Sequence, residues 1–289
     1  MYKMALFIIA LMGVYPAVVR AMEIVRIPTF TVQDPIIEYL NNQLELALAI
    51  TEEDFGQVRL VHLKIPMEEE RQLRNLNQNI TDIAWATCSL ARNENYQPVL
   101  IPQIAGLFGI RVSVIREGDQ RLLEINDIDT LKELIVVQSP KWQDYDILVN
   151  NGFTVLPSDR FSAYRAIQEG LADFYPRGIA EVTGEMQATN TEGLAIAPQH
   201  VLRYPLLYLV YVKKSNMALA ERLTQGFQHN LESGVFQTLM QSQPWFKRAK
   251  SMLLGRTVID LENEDSLGEC LQVQDQHKSL LQAPYTTND

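Results

Sequence analysis

From Glu23 onward, short apolar runs alternate with stretches whose apolar positions recur at helical spacing, the signature of strands alternating with helices. Ile24, Val25 and Ile27 predict a first strand. Asp34-Pro35 reads as an N-cap followed by proline at the first helical position, and Ile36, Ile37, Leu40, Leu44 and Leu48 then follow at helical spacing. Residues 58–65 predict a strand ended by Pro66, residues 67–76 a helix with a polar face, and residues 80–86 a third strand. The alternation restarts with a strand at 110–116 and a short helix capped by Asp127 or Asp129. Residues 134–138 (LIVVQ) are continuously apolar up to the glutamine, as suits a parallel strand covered on both faces. A helix over 142–151 is stopped by Gly152, a strand contains Val155 and Leu156, and Ser158 caps a helix running to Glu169. Further strands are expected at 171–175, 194–197 and 206–212. Leu219, Leu223, Phe227 and Leu231 form one helical stripe ended by Gly234. Two short helices and a strand near 258–261 follow, and the chain turns polar from Glu262, which reads as a mobile end. Repeated βα units predict an α/β fold with mainly parallel sheets and helices on both faces.

The first residues change the picture of where the protein works. Lys3 precedes an apolar run over 4–19, and Val19-Arg20-Ala21 is a small-x-small cleavage site. This is the build of a cleavable secretory signal peptide, residues 1–21, too short for a membrane span. The first cysteine is Cys88, so no lipid attachment at a new N-terminal cysteine is expected. An untethered exported protein fits a periplasm, with no stable membrane insertion after cleavage. Removing Lys3 and Arg20 from the 25 basic residues, and none of the 35 acids, moves the net charge from −10 to −12. Bulk charge therefore disfavours nucleic acid and anionic lipid as partners. Cys88 and Cys270 are the two cysteines. Export permits a disulfide, but their spacing does not decide it, and two buried thiols are the simpler expectation.

The stretch Asp82–Arg116 is the most informative. A buried strand (Ile83, Ala84, Trp85) runs into Thr87 and Ser89, then Arg92, a proline-containing connection, and a second apolar strand (Ile110, Val112, Val114). It reads as the end of one lobe, a crossing near 107–109, and the start of another. Ser89-Leu90-Ala91-Arg92 and its setting resemble solute-binding protein family 3, the periplasmic receptors of amino-acid importers of the ABC type. The resemblance implies a two-lobed periplasmic-binding-protein fold (type II) with two inter-lobe crossings. Lobe 1 would hold 22–107 and 211–289, and lobe 2 would hold 108–210. It implies a monomer that closes on a small carboxylate-bearing solute and hands it to the membrane subunits of an importer.

The resemblance also assigns residues. Arg92 would hold the solute's carboxylate, since a guanidinium presents a planar fork that matches it. Thr87 and Ser89 would add hydroxyls, with Trp85 just before them. Ser139 and Lys141 occupy the turn after the LIVVQ run, where the family usually has a glycine with hydroxyl residues. Trp142 either stacks on the solute or packs beneath the lobe. Gly170-Leu171-Ala172-Asp173 resembles the family's Gly-x-x-Asp strand. Where the family then places an acid for the α-ammonium, this chain has Arg177-Gly178, with Glu181 the next acid. Arg177 either attracts an anion or is an ion-paired surface residue.

Catalysis is not expected. His62, His200, His229 and His277 lack metal-ligand spacing, and no nucleophile elbow, phosphate loop or dinucleotide turn occurs. No cofactor or metal is expected. Glu68-Glu69-Glu70 reads as a solvated helix face. The alternatives to transport are a sensory or accessory binding module of the same fold and, further off, a lyase built on it.

Overall fold

A computed structural model describes residues 22–30, 35–125 and 127–285. The leader at 1–21 and the cap at Asp34 lie outside them. The strands of the described residues are β1 (Glu23–Thr29), β2 (Val58–Pro66), β3 (Ile83–Thr87), β4 (Tyr96–Val99), β5 (Ile110–Arg116), β6 (Ile135–Gln138), β7 (Thr154–Pro157), β8 (Phe174–Gly178), β9 (Leu194–Ile196), β10 (His200–Arg203), β11 (Tyr208–Lys213) and β12 (Thr257–Asp260).

In one lobe β1 pairs parallel with β2, and β11 lies antiparallel between β3 and β4. The Asp82 N–H donates to the Arg26 carbonyl at 2.8 Å and lays β1 alongside β3. The other lobe is built on the order β12-β10-β5-β8-β6-β7, with β9 also on β5. There β6 runs parallel to β7 and β8, and β10 parallel to β12. Every antiparallel pair involves β5 or β11, the strands that follow the two crossings. β3 is buried at all its positions, as a strand covered on both faces must be.

Helical periodicity finds its partners across the sheets. The faces of Pro35–Ile50 and Met217–Glu232 meet so closely that a Cβ on Gly226 would lie 2.2 Å from the Ala47 carbonyl oxygen. Only glycine permits that approach. The crossings touch in the same way. Tyr204 N–H donates to the Gly109 carbonyl at 2.9 Å, and a Cβ on Gly109 would lie 2.1 Å from the Tyr204 oxygen. In the second lobe, buried His200 is fixed by Ser113 Oγ at 2.9 Å and by the Ile125 carbonyl at 3.0 Å.

Three local expectations are corrected. Cys88 and Cys270 form a disulfide rather than two free thiols, because the C-terminal segment folds back onto the end of β3. The polar C-terminal stretch is not featureless. It contains the helices Glu269–Gln276 and Lys278–Gln282, which bury Cys270, Val273 and Leu280. The helix expected to start at Ser158 is capped by Asp159, whose carboxylate accepts from the N–H groups of Phe161 and Ser162. The residues around Arg92 form a short helix, Leu90–Asn95, with Ser89 as its cap.

Candidate functional site

A cleft of about 160 Å³ opens between the lobes. It is smaller than the roughly 300–1,000 Å³ of drug-sized ligand sites, so it fits a small solute. One wall carries Phe30, Glu69, Thr87, Arg92 and Tyr208, and the other Arg111, Lys141, Trp142, Asp144, Arg177 and Glu181. Thr87 ends β3, and Arg177 lies in β8 near its end. Ligands in open α/β sheets sit at such carboxyl ends.

Arg92 reaches the cleft from the helix that Ser89 caps. Its Nη1 donates to the Thr87 carbonyl at 2.7 Å, to the Thr87 hydroxyl, and to Glu69 Oε2 at 3.2 Å. Its Nη2 donates to Glu70 Oε1 at 2.7 Å. Glu69 Oε2 also accepts from the Thr87 N–H at 3.3 Å and the Thr87 hydroxyl at 3.4 Å. Burial raises the Glu69 carboxyl above its ordinary value, and the charge of Arg92 offsets only part of that. The expectation of a solvated acidic face at 68–70 holds for exposed Glu68 and Glu70 but is corrected in that Glu69 and Glu70 also turn onto Arg92, because the start of their helix faces the end of β3.

Thr87, Arg92, Lys141, Trp142 and Arg177 are brought together in the cleft. Trp85, Ser89 and Ser139 stand behind it. Trp85 is fully buried, with its ring centroid 5.6 Å from that of Phe30. The Ser89 hydroxyl accepts the Arg92 N–H at 3.3 Å. Ser139 is buried, with its N–H on Gln138 Oε1 at 2.9 Å. Lys141 is exposed and has no ion-pair partner among the described residues.

Arg177 is buried and fixed on every side. Its Nε and Nη2 fork onto Glu185 at 2.6 and 2.5 Å, and its Cζ lies 4.7 Å from the Trp142 ring centroid and 5.1 Å from that of Tyr175. Glu185 also takes Arg160 Nη2 and the Tyr164 hydroxyl. Burial alone would raise the Glu185 carboxyl, but Arg177 and Arg160 outweigh it and hold it at about 2. Arg177 is therefore paired from within, though Glu185 is shared with Arg160 and the cluster keeps a net positive charge.

A third cluster sits where the lobes join. Arg111 Nε lies 2.6 Å from Asp144 Oδ1, Tyr204 donates its hydroxyl to Asp144, and Arg111 Nη1 lies 3.5 Å from Glu181. Burial opposes the charge on Arg111, yet Asp144, Tyr204 and Glu181 together raise its pKa. Next to Asp144, Gln143 Nε2 donates to the Cys88 carbonyl at 3.5 Å and spans the cleft from lobe to lobe. The residues that sequence reasoning missed are Glu69, Asp144, Arg160 and Glu185. Glu185 had one signal: an acid on the face that also carries buried Val182. Such an acid needs a buried cation.

No family model and no curated protein matches the sequence. Solved structures do. A probable extracellular-binding protein of an amino-acid ABC transporter from Bacillus subtilis matches with a TM-score of 0.56 at 14% identity, covering 76% of this chain and 96% of that one. A substrate-binding protein of an amino-acid ABC transporter from Streptococcus pneumoniae, bound to L-arginine, matches with a TM-score of 0.56 at 16% identity, covering 78% and 93%. The GluR0 ligand-binding core from Nostoc punctiforme, in complex with L-glutamate, matches with a TM-score of 0.50 at 17% identity, covering 75% and 96%. The chain therefore has the two-lobed α/β fold of the periplasmic binding proteins. Among its described residues, no helix is long and apolar enough to cross a membrane.

Proposed function

We propose that this chain is an exported solute-binding protein. It captures a small, amino-acid-like solute by its carboxylate and presents it to the membrane subunits of an ABC-type importer. One observation carries the reading. Arg92 and Thr87 face a cleft of single-solute size, with Lys141 on the opposite wall. The solute's carboxylate takes over the Arg92 fork from Glu69, and Glu181, the less buried acid of the facing wall, supplies negative charge for a cationic end. In this reading residues 1–21 are removed on export to a periplasm. Lobe 1 comprises 22–107 and 211–289 except for β12 (Thr257–Asp260), which joins the sheet of lobe 2 (108–210), and the monomer closes about the crossings by a hinge. The fold relatives named above are binding proteins rather than enzymes, and catalysis has no place in the proposal.

A second reading is a sensory or accessory binding module. It is favoured by the internal pairing of Arg92, Arg111 and Arg177, which leaves less free charge for capture than an importer's receptor would need.

A thermal-shift screen with amino acids, keto acids, peptides and sugars tests the proposal. A solute at a hundred times its Kd should stabilise the native state by about 2.7 kcal/mol. Arg92→Ala should abolish that gain. Unchanged affinity in Arg92→Ala removes the site, and a silent screen removes the function.

A further inference from the structure

We infer that Glu69 is a built-in stand-in for a solute carboxylate, filling the anion subsite of the cleft until a solute displaces it. The inference rests on the proposed function and adds how the site selects its solute. Three donors converge on Glu69 Oε2: the Thr87 N–H, the Thr87 hydroxyl and Arg92 Nη1. A backbone amide, a hydroxyl and a guanidinium on one oxygen form a carboxylate-binding set. Each of them also has an anchor apart from Glu69. The end of β3 places Thr87, and the cap of Leu90–Asn95 together with the Thr87 carbonyl places Arg92.

Glu69 itself comes from another element, the first turn of the helix Glu69–Asn77. This ion pair is not sealed from water. The side chains of Glu69 and Glu70 are 30% and 58% exposed, against 13% for Arg92. An acid at the rim, joined to Arg92 by a contact of 3.2 Å, can swing out of the subsite toward water. The subsite therefore has two possible occupants, one tethered and one free. A tethered carboxylate competes at an effective concentration on the order of millimolar. A simple monocarboxylate in dilute solution loses that contest. A solute wins only by adding contacts elsewhere, such as a cationic end against Glu181 on the facing wall. Glu69 thus acts as a specificity filter.

The test is chemical rescue. In Glu69→Ala, sodium acetate should raise the melting temperature saturably above the effect of sodium chloride at equal ionic strength. Wild type and Glu69→Ala/Arg92→Ala should show no such rise. L-glutamate and L-arginine serve as solute probes in calorimetry. Any probe that binds wild type should bind Glu69→Ala about tenfold or more tightly. Acetate without effect on Glu69→Ala, or acting equally on all three proteins, overturns the inference, as does a Glu69→Ala that binds the probes no better or worse. Should Glu69→Ala not fold, Glu69→Gln removes the charge at similar volume and is held to the same outcomes. A wild type that binds carboxylate solutes beside a Glu69→Ala that gains nothing removes this inference and leaves the proposed function. Acetate rescue without solute binding by wild type does the reverse.

Discussion

Cys88 is bonded to Cys270 across 182 residues, which ties the neighbour of Thr87 on the cleft wall to the C-terminal helix Glu269–Gln276. Asn93 reinforces the junction, donating to Glu269 Oε2 at 3.1 Å and accepting the Tyr211 hydroxyl at 2.8 Å. Closing so long a loop in the unfolded chain removes entropy equivalent to about 5 kcal/mol in the chain-entropy model. Cys270→Ser, or reduction of the wild type, should lower unfolding stability by up to that amount. Urea unfolding with and without reductant measures it, and the variant should be indifferent to reductant.

The pair Arg177–Glu185 should govern behaviour in acid. The Glu185 carboxyl falls from an ordinary 4.5 to about 2 in the fold. The unfolded chain therefore binds the extra proton over that window, so the stabilisation is complete above pH 4.5 and is lost as pH falls toward 2. Glu185→Gln should cost about 3–5 kcal/mol at neutral pH by leaving Arg177 buried without its counter-charge. Its stability should then vary less with pH between those limits than that of wild type. Urea unfolding across a pH series reads both effects.

Much of the fold was legible because its signals are local. Leu219, Leu223, Phe227 and Leu231 announce their helix by spacing, and LIVVQ announces a covered strand by composition. Arg92 was singled out because Ser89-Leu90-Ala91-Arg92 follows a strand in the pattern of the resembled family. What was not legible depends on residues far apart in sequence. Glu69 and Arg92 are 23 residues apart and meet only because one helix starts beside the end of β3. Asp144 and Tyr204 are 60 apart. No periodicity encodes such meetings, and a lone acid on a polar helix face looks the same whether water or an arginine faces it.

The contact between the crossings predicts a sensitive position. A Cβ at Gly109 would lie 2.1 Å from the Tyr204 carbonyl oxygen, a backbone atom that cannot rotate away. Gly109→Ala should separate the crossing chains and destabilise the fold by about 1–3 kcal/mol, the usual cost of overpacking. It should also weaken solute binding, since Tyr204 holds Asp144 at the cleft. Thermal unfolding and calorimetry on the same sample separate the two losses.

His200 gives a second, milder acid response. Burial lowers its pKa below the ordinary 6.5, an effect to which nearby Arg256 adds, while its bond to the Ile125 carbonyl partly opposes it. The unfolded imidazole takes up a proton first, so stability should decline as pH falls below 6.5. His200→Ala should remove that decline. It should also cost about 1–3 kcal/mol at neutral pH by leaving the buried Ser113 hydroxyl without its partner. Unfolding curves between pH 8 and pH 5, compared with wild type, decide it.

The path of residues 244–270 bears on how far the halves can part. After the helix Pro244–Leu253, the chain enters the second lobe's sheet as β12 beside β10, then returns to be stapled at Cys88 on the first. Two further covalent spans therefore run beside the crossings at Gly109 and Tyr204. A gate hung on four posts has a shorter swing than one hung on two. It gives up reach in capture and returns to register more faithfully after each opening.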